Sequence, residues 1–396
     1  MFRPLTTIRR VGWFYLLIVA IVFGGAMFKE VNLLLILAGM LLGPVLLNWQ
    51  AVKVNLRGLS VVRKLPPTLC AGDTLSVGVH LTNLRRRMGC WAVVVEEQIR
   101  RIDGDNHENS RCTEAIRPAV FFPCVPAAQT RKGAYRGQLV QRGRYQIGPL
   151  RLSTQFPFGL FSRTITVGQA ETVLVLPRLG RLTRGWAARR RAAFAGADRR
   201  DRRPGPEGDF YGVREWRGGD GQRLVHWRSS ARLGKLVVRQ FEQPRNRDVT
   251  VVLDLWQPEQ PEDRHIENVE LAVSFAATVL ADLCRKGGSN VYLAVHNAAP
   301  ECFGGPASPM LLQGLMQRLA TVESRLDDCL PALLEHAMRR VAAGAEFVLV
   351  STRPNDLIDT ARFATLGSDP VLRDRARHIR CVDTSSEELA DYFQTE

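Results

Sequence analysis

The sequence predicts an α/β plus all-β chain: an N-terminal transmembrane helical hairpin, a β-sandwich-like domain, and a C-terminal doubly wound α/β domain. Three observations predict this. Two uncharged apolar runs, residues 11–28 and 31–49, lie back to back. Residues 57–177 alternate apolar and polar side chains in short stretches broken by Gly, Pro and Asn, as in a sandwich. Residues 248–396 alternate short β-branched runs with longer helix-like ones, the pattern of an open, mainly parallel sheet. The chain has 396 residues, room for two or three domains at about 100–200 residues each.

Each N-terminal run is close to the length that crosses a hydrocarbon core as a helix. Residues 1–10 precede the hairpin at 11–50, and only Lys29 and Glu30 separate the two runs. Arg3, Arg9 and Arg10 stand before the first; Lys53, Arg57, Arg63 and Lys64 follow the second. Basic flanks mark the cytoplasmic side, so both termini are expected in the cytoplasm and the hairpin in the inner membrane. Trp13 and Trp49 are placed to act as interfacial anchors. A cleaved signal peptide is disfavoured, because a second apolar run follows at once and no small-x-small site precedes a polar start.

Within residues 57–177, Leu75, Val77, Val79 and Leu81 alternate with Thr74, Ser76, Gly78 and His80, a half-buried strand. Further strands are expected at 91–99, 119–125, 137–141, 145–153 and 172–176, with a polar loop at 101–114. The cluster Phe156, Phe158, Leu160 and Phe161 reads as a core plug or domain-packing knob, since exposed aromatic clusters are costly.

The formal charge is +15, which points to an anionic partner. Much of the excess lies between Arg178 and Arg247, with runs at Arg189-Arg190-Arg191, Arg199-Arg200 and Arg202-Arg203 in the connector at 178–205. This stretch reads as a solvated connector, partly helical at 186–194. It also suits contact with an anionic leaflet, at about 1 kcal/mol per basic residue near the surface. Nucleic-acid binding is the rival reading, but no interleaved aromatics or recognised motif support it. The eight cysteines form no Cys-x-x-Cys pair and no zinc spacing with histidine, as expected of reduced, mostly buried thiols.

Residues 206–247 are the most informative. They hold Gly208, Phe210, Arg214, Glu215, Trp216, Gly219, Asp220, Arg223, His226, Trp227, Arg228, Ala231 and Arg232. No regular apolar period runs through them, so a shaped loop is expected. Arginine forks pair well with carboxylates, so an internal ion-pair lattice is the favoured reading and an anion site the alternative. His226 reads as a structural histidine, with no nucleophile beside it.

These residues, at this spacing, resemble the signature of domain-of-unknown-function family fifty-eight, a bacterial membrane-anchored family. Arg142-Gly143-Arg144-Tyr145 and the Pro157-Phe158-Gly159-Leu160-Phe161 run also resemble it, with Phe156 where the family usually has Asp. The resemblance implies a von Willebrand factor type A-like domain at residues 248–396 and a partnership with MoxR-type AAA+ ATPases. Type A domains often hold Mg²⁺ through Asp-x-Ser-x-Ser after the first strand. Here the pattern is Asp254-Leu255-Trp256-Gln257-Pro258, and the strand at 347–351 ends in Ser351-Thr352. Mg²⁺ wants several hard oxygen ligands, so Asp254 is a degenerate position and no metal or other cofactor is expected.

Residues 249–254, 290–296, 347–351 and 378–382 are expected strands; 266–285, 310–320 and 330–343 are expected helices. There is no P-loop, no Gly-x-Gly-x-x-Gly after a strand, no Gly-x-Ser-x-Gly elbow and no His-Glu-x-x-His. The expectation is therefore not an enzyme but a membrane-tethered, protein-binding adaptor. Nucleic-acid or anionic-lipid binding through the arginine-rich connector is the alternative.

Overall fold

A computed structural model of the chain describes residues 5–29, 32–102, 116–186, 188, 204–205, 209–218, 220–242, 248–342, 344–357, 362–363 and 369–395. It divides into two units, Met1–Arg178 and Leu179–Glu396.

The first unit opens with a short strand, β1 (Leu5–Ile8), that runs into the helices α1 (Arg10–Lys29) and α2 (Asn32–Asn55). Uncharged runs fold this way because a helix satisfies its own backbone groups. The helices pack on each other, with Ala26 and Ala38 buried; small residues let helices approach. Both are long and apolar enough to cross a membrane. α2 continues past the expected end at residue 50, and its last turns enter the β-domain.

That domain contains β2 (Leu59–Lys64), β3 (Thr74–Asn83), β4 (Cys90–Glu96), β5 (Ile99–Ile102), β6 (Ala119–Val125), β7 (Thr130–Gln138), β8 (Gly143–Ile147), β9 (Leu150–Thr154), β10 (Phe161–Val167) and β11 (Glu171–Val175). They form three antiparallel sheets, ordered β1-β10-β9-β4-β6, β2-β3-β7 and β11-β8-β5. The alternation predicted for β3 is observed: Leu75, Val77, Val79 and Leu81 point into the core with Val93, Val95, Ile147 and Leu152. The expected strand at 145–153 is two strands split at Gly148-Pro149, and the one at 137–141 is the end of β7. A charged group crosses this core. Arg63 pairs with Glu97, which is 2 % exposed and also accepts from the Tyr135 hydroxyl at 2.5 Å.

The Phe156–Phe161 cluster is only half a plug. Leu160 and Phe161 are buried against Tyr15, Val45 and Val52 of the hairpin, whereas Phe156 and Phe158 are exposed. Asn48 explains the fit: its Oδ1 accepts from the backbone N–H groups of Leu160 and Phe161, each at 3.0 Å.

The second unit begins with β12 (Arg181–Leu182), paired to the C-terminal strand β21 (Phe393–Gln394). Trp186 is buried, edge-on to Phe275 at 5.3 Å, with Phe393 at 5.6 Å from Phe275 on its other contact. Residues 181–186, expected in a solvated connector, are therefore packed. The arginine runs at 189–191, 199–200 and 202–203 lie outside the described residues. Next come β13 (Pro204–Gly205), β14 (Asp209–Glu215), α3 (Trp227–Leu233) and β15 (Val237–Glu242).

An α/β sheet follows, from β16 (Val249–Asp254), α4 (Asp263–Lys286), β17 (Asn290–His296), β18 (Pro300–Pro306), α5 (Pro309–Thr321), α6 (Leu330–Arg340), β19 (Glu346–Ser351), α7 (Pro370–Ala376) and β20 (Arg380–Asp383). The strand order is β18-β17-β16-β19-β20. β17, β16, β19 and β20 are parallel; β18, absent from the sequence reading, is an antiparallel edge. Every residue of β16 is buried, so both faces are covered. Val252, Ala294 and Leu349 pack with Leu330, Leu333, Leu334 and Ala337 of α6. α4 covers the opposite face, burying Phe275, Val279 and Leu280.

Candidate functional site

Two clusters stand out, the signature segment and the carboxyl end of the parallel sheet. The signature is not the loop the sequence suggested. β14 pairs with β15 in register Arg214↔Val238 and Glu215↔Val237, with a bulge between Phe210 and Gly212. A tight turn, a 3-10 turn at Gln222–Leu224 and α3 connect the two strands.

Arg214, Glu215, Asp220 and His226 each have a structural role near the turn. Arg214 donates to Asp220 through both guanidinium nitrogens, at 2.7 and 2.6 Å, and to the Glu215 carbonyl at 3.0 Å. The Arg217 N–H donates to Asp220 Oδ2 at 2.8 Å, which closes the turn. These bonds hold the Asp220 carboxyl below its usual range, the Arg214 fork contributing most. Glu215 pairs with Lys235, which lowers its carboxyl too. His226 caps α3: its Nδ1 accepts from the Ser229 N–H at 3.2 Å and faces the Ser229 hydroxyl at 2.7 Å. Gly234 ends that helix at φ 65°, the left-handed cap that glycine adopts without strain.

Among the described residues the expected lattice is limited to the Arg214–Asp220 pair, with Lys235 rather than an arginine on Glu215. Arg223, Arg228 and Arg232 are exposed and have no carboxylate partner among the described residues. Trp216 and Trp227 are 41 % and 66 % exposed. Among the described carboxylates of the segment, Asp220 is taken by Arg214 and Glu215 by Lys235, and Arg223, Arg228 and Arg232 face water. Gly208 and Gly219 lie outside the described residues, as does the Phe210 side chain. On the hairpin, Trp13 and Trp49 are both exposed, and the Lys53 ammonium sits 3.0 Å over the Trp49 ring.

The second cluster lies where parallel sheets of this kind bind ligands, at the carboxyl ends of the strands. Asp254 ends β16, buried, and accepts from the Ser351 hydroxyl at 2.9 Å across the register pair Asp254↔Ser351. Arg353 lies 3.5 Å away through Nε, over the face of Trp256 at 5.0 Å. Arg353 also pairs with Asp328, and Asp328 with Arg362. Asn355 links the halves, donating to Ser351 Oγ at 2.6 Å and accepting from Arg362 at 2.7 Å. Burial pushes the Asp254 carboxyl above its usual range despite Arg353 and Ser351, which pull it down. Hydrogen bonding to Arg362 holds Asp328 below its range.

These donors do not fit a divalent ion. Trp256 and Pro258 bring no side-chain oxygen, and the position beside Asp254 holds the Arg353 guanidinium. Among the described residues no three His, Cys, Asp or Glu side chains converge as a metal site. The sequence singled out Asp254 and Ser351 but missed Arg353, Asp328, Asn355 and Arg362. Arg353 carried one signal, its place two residues past the end of the strand that pairs with β16.

The seven described thiols are free, and burial raises those of Cys90, Cys284 and Cys302, opposite to what a nucleophile needs.

A family model, "Protein of unknown function DUF58", matches residues 212–353. The match begins inside β14 and ends at Arg353, so it spans the described turn of the signature and takes in Asp254, Asp328, Ser351 and Arg353 of the strand-end cluster, but not Asn355 or Arg362. No curated protein matches the chain. Among solved structures, the chain is similar to the CARDB domain of PF1109 from Pyrococcus furiosus, at 15 % identity and TM-score 0.19, covering 30 % of this chain and 94 % of that one. It is similar to the sporulation control protein Spo0M from Bacillus subtilis, at 11 % identity and TM-score 0.21, covering 35 % of this chain and 56 % of that one. A β-glucosidase from Listeria innocua gives 13 % identity and TM-score 0.19, covering 30 % of this chain and 15 % of that one. Likenesses this slight carry no argument about fold or activity.

Proposed function

We propose that the chain is a non-enzymatic adaptor, tethered to the bacterial inner membrane by its hairpin, that binds a protein partner through the signature segment. One observation carries this reading. Among the described residues the segment pairs Asp220 with Arg214 and Glu215 with Lys235, and leaves Trp216, Trp227, Arg217, Arg223, Arg228 and Arg232 exposed. Exposed Trp and Arg are the residue types that dominate binding hot spots, and their charge suits an acidic partner surface. The family resemblance names a MoxR-type AAA+ ATPase as that partner.

The second unit is read as a von Willebrand factor type A-like domain. In support, a largely parallel sheet is covered on both faces and carries a buried aspartate at the carboxyl end of its central strand. Arg353 takes the place beside Asp254 that a divalent ion takes in better-endowed type A domains, so partner binding is proposed to be independent of Mg²⁺. The basic flanks of the hairpin support cytoplasmic termini.

The test is affinity capture from detergent-solubilised membranes, comparing the native chain with a Trp216→Ala/Trp227→Ala variant and reading the captured proteins by mass spectrometry. The expected result is an AAA+ ATPase captured by the native chain and lost in the variant. Nuclease-sensitive recovery of nucleic acid, unchanged by the two substitutions, would overturn the adaptor reading.

A further inference from the structure

The β-domain is fixed at a definite height on the hairpin. The Arg9 N–H donates to the Leu160 carbonyl at 3.0 Å, and Asn48 holds Leu160 and Phe161 from the other helix. Asn55, at the end of α2, grips the Trp91 backbone on both sides: Nδ2 donates to its carbonyl at 2.6 Å and Oδ1 accepts from its N–H at 2.9 Å. Asn48 lies about 10 Å below Asn55 along the helix, at 1.5 Å per residue. The loop between β9 and β10 therefore descends to the level of Asn48 and Gly12, where the first apolar run begins and the second ends. Gly12 has no room for a Cβ against the Leu160 carbonyl, so this loop lies directly on α1.

The outward side of this junction is apolar and basic. Phe158 is 52 % exposed, and Trp91 is 49 % exposed, stacked on the exposed Phe156 with ring centroids 6.0 Å apart. Arg86, Arg87 and Met88, on the loop before β4, are exposed as well. Arg85 ties that loop to the Val54 and Asn55 carbonyls at 2.9 and 3.2 Å. Aromatic side chains clustered this way are costly in water and favoured at a membrane interface.

We propose that Trp91, Phe156 and Phe158 insert into the headgroup layer of the bilayer that the hairpin spans, and that Arg86 and Arg87 hold anionic phospholipid headgroups beside them. The inference rests on the reading of the hairpin as membrane-spanning. It is separate from the arginine-rich connector, because this surface belongs to the β-domain. Its consequence is mechanical: the domain is seated on the membrane at a fixed tilt and does not swing on a tether.

The test uses the full chain in vesicles of equal parts phosphatidylcholine and phosphatidylglycerol. Photoreactive p-benzoylphenylalanine replaces Phe158, Phe23 or Val140, one at a time; all three sites are exposed. Phe23 reports the spanning helix. Val140 lies just beyond the end of β7 that pairs with Thr74, at the far end of β3 from Asn83 and the hairpin, about 30 Å away at 3.4 Å per residue. Lipid adducts are expected at positions 23 and 158 and not at 140. Adducts at 23 alone would overturn the inference and leave the spanning reading standing. No adduct at 23 would defeat both, and adducts at 140 as well would remove the orientation. With the probe at 158, Arg86→Gln/Arg87→Gln should lower the share of phosphatidylglycerol among adducts by about twofold; an unchanged share would overturn the anionic-headgroup assignment.

Discussion

Removing Arg353 tests the strand-end cluster most directly. In Arg353→Ala, Asp254 keeps only the Ser351 hydroxyl as a direct partner. The Asp254 side chain is 7 % exposed and that of Arg353 18 %. Breaking a fully buried pair by deleting one member costs about 3–5 kcal/mol. Two features reduce this: the guanidinium is partly solvated, and the Asp254 carboxyl, already raised by burial, can take up a proton. About 2–3 kcal/mol remains. In a unit of roughly 200 residues each kcal/mol moves the midpoint by about 2–4 °C, so melting should fall by about 4–12 °C at neutral pH. Near-ultraviolet circular dichroism of the full chain in detergent reads this.

The pH dependence gives a second check. An acid with a raised folded pKa binds more protons folded than unfolded, so its contribution falls as pH rises from the unfolded carboxylate value, about 4, through the folded value. Arg353 is the largest influence pulling Asp254 down, so its loss should widen that window upward and steepen the fall in stability toward neutral pH. Asp254→Asn should do the opposite: the slope contributed by this group disappears and neutral-pH stability holds or rises. Arg353 is not orphaned there, since Asp328 and the Trp256 face remain. Equal destabilisation by Asp254→Asn and Arg353→Ala would refute the reasoning, because it would mean that the pair's attraction outweighs the desolvation of Asp254.

Trp216→Ala/Trp227→Ala should leave stability within about 0.5 kcal/mol, as exposed sites do, while abolishing partner capture; a large fall in melting temperature would assign the indoles a packing role. Glu97→Gln should destabilise the β-domain by about 2–3 kcal/mol, below the cost of a fully orphaned charge, because Arg63 loses its buried counter-charge but keeps the exposed Glu171 at 2.8 Å, and urea titration reads the loss. Millimolar Mg²⁺ should leave the melting temperature of the native chain unchanged. A bound ion at a hundredfold excess over its Kd would add about 2.7 kcal/mol, so a Mg²⁺-dependent rise abolished by Asp254→Ala would show that oxygen donors do converge there.

Local pattern carried most of the fold. The hairpin, β3, β6, β16, β17 and the helices α4, α5 and α6 follow from period and length, and their observed bounds lie within a few residues of the expected ones, whereas α7 was not expected. The elements that escaped depend on distant partners. β1 is Leu-Thr-Thr-Ile, too short to signal anything, and becomes a strand only because β10 pairs with it from over 150 residues away. β18 reads Pro-Glu-Cys-Phe-Gly-Gly-Pro, which looks like a turn; an antiparallel edge tolerates it because one side needs no partner. The same limit applies to the site. Residue types in the signature were visible, but which arginine met which carboxylate was not. Asp220 is six residues from Arg214, a turn-closing distance that could have singled out that pair. Arg353 and Asp254 are brought together only by the parallel register of β16 and β19.

The two clusters solve one electrostatic problem in the same way, and the solution sets the sign of the surface. A carboxylate removed from water needs a compensating charge, and a metal ion or a guanidinium can supply it. In both clusters the compensator is arginine: Arg214 for Asp220, Arg353 for Asp254. Each such pairing withdraws an acid from the outside. Arg223, Arg228 and Arg232 near the signature then face solvent with no carboxylate partner among the described residues, and the indoles of Trp216 and Trp227 stand exposed on the same segment. An ion held at Asp254 would come and go with its concentration; a covalently attached guanidinium does not. A sheet end closed in this manner does not respond to ion concentration, so regulation of the proposed partner binding is expected to enter elsewhere, through the partner itself or through the membrane on which the first unit is proposed to rest.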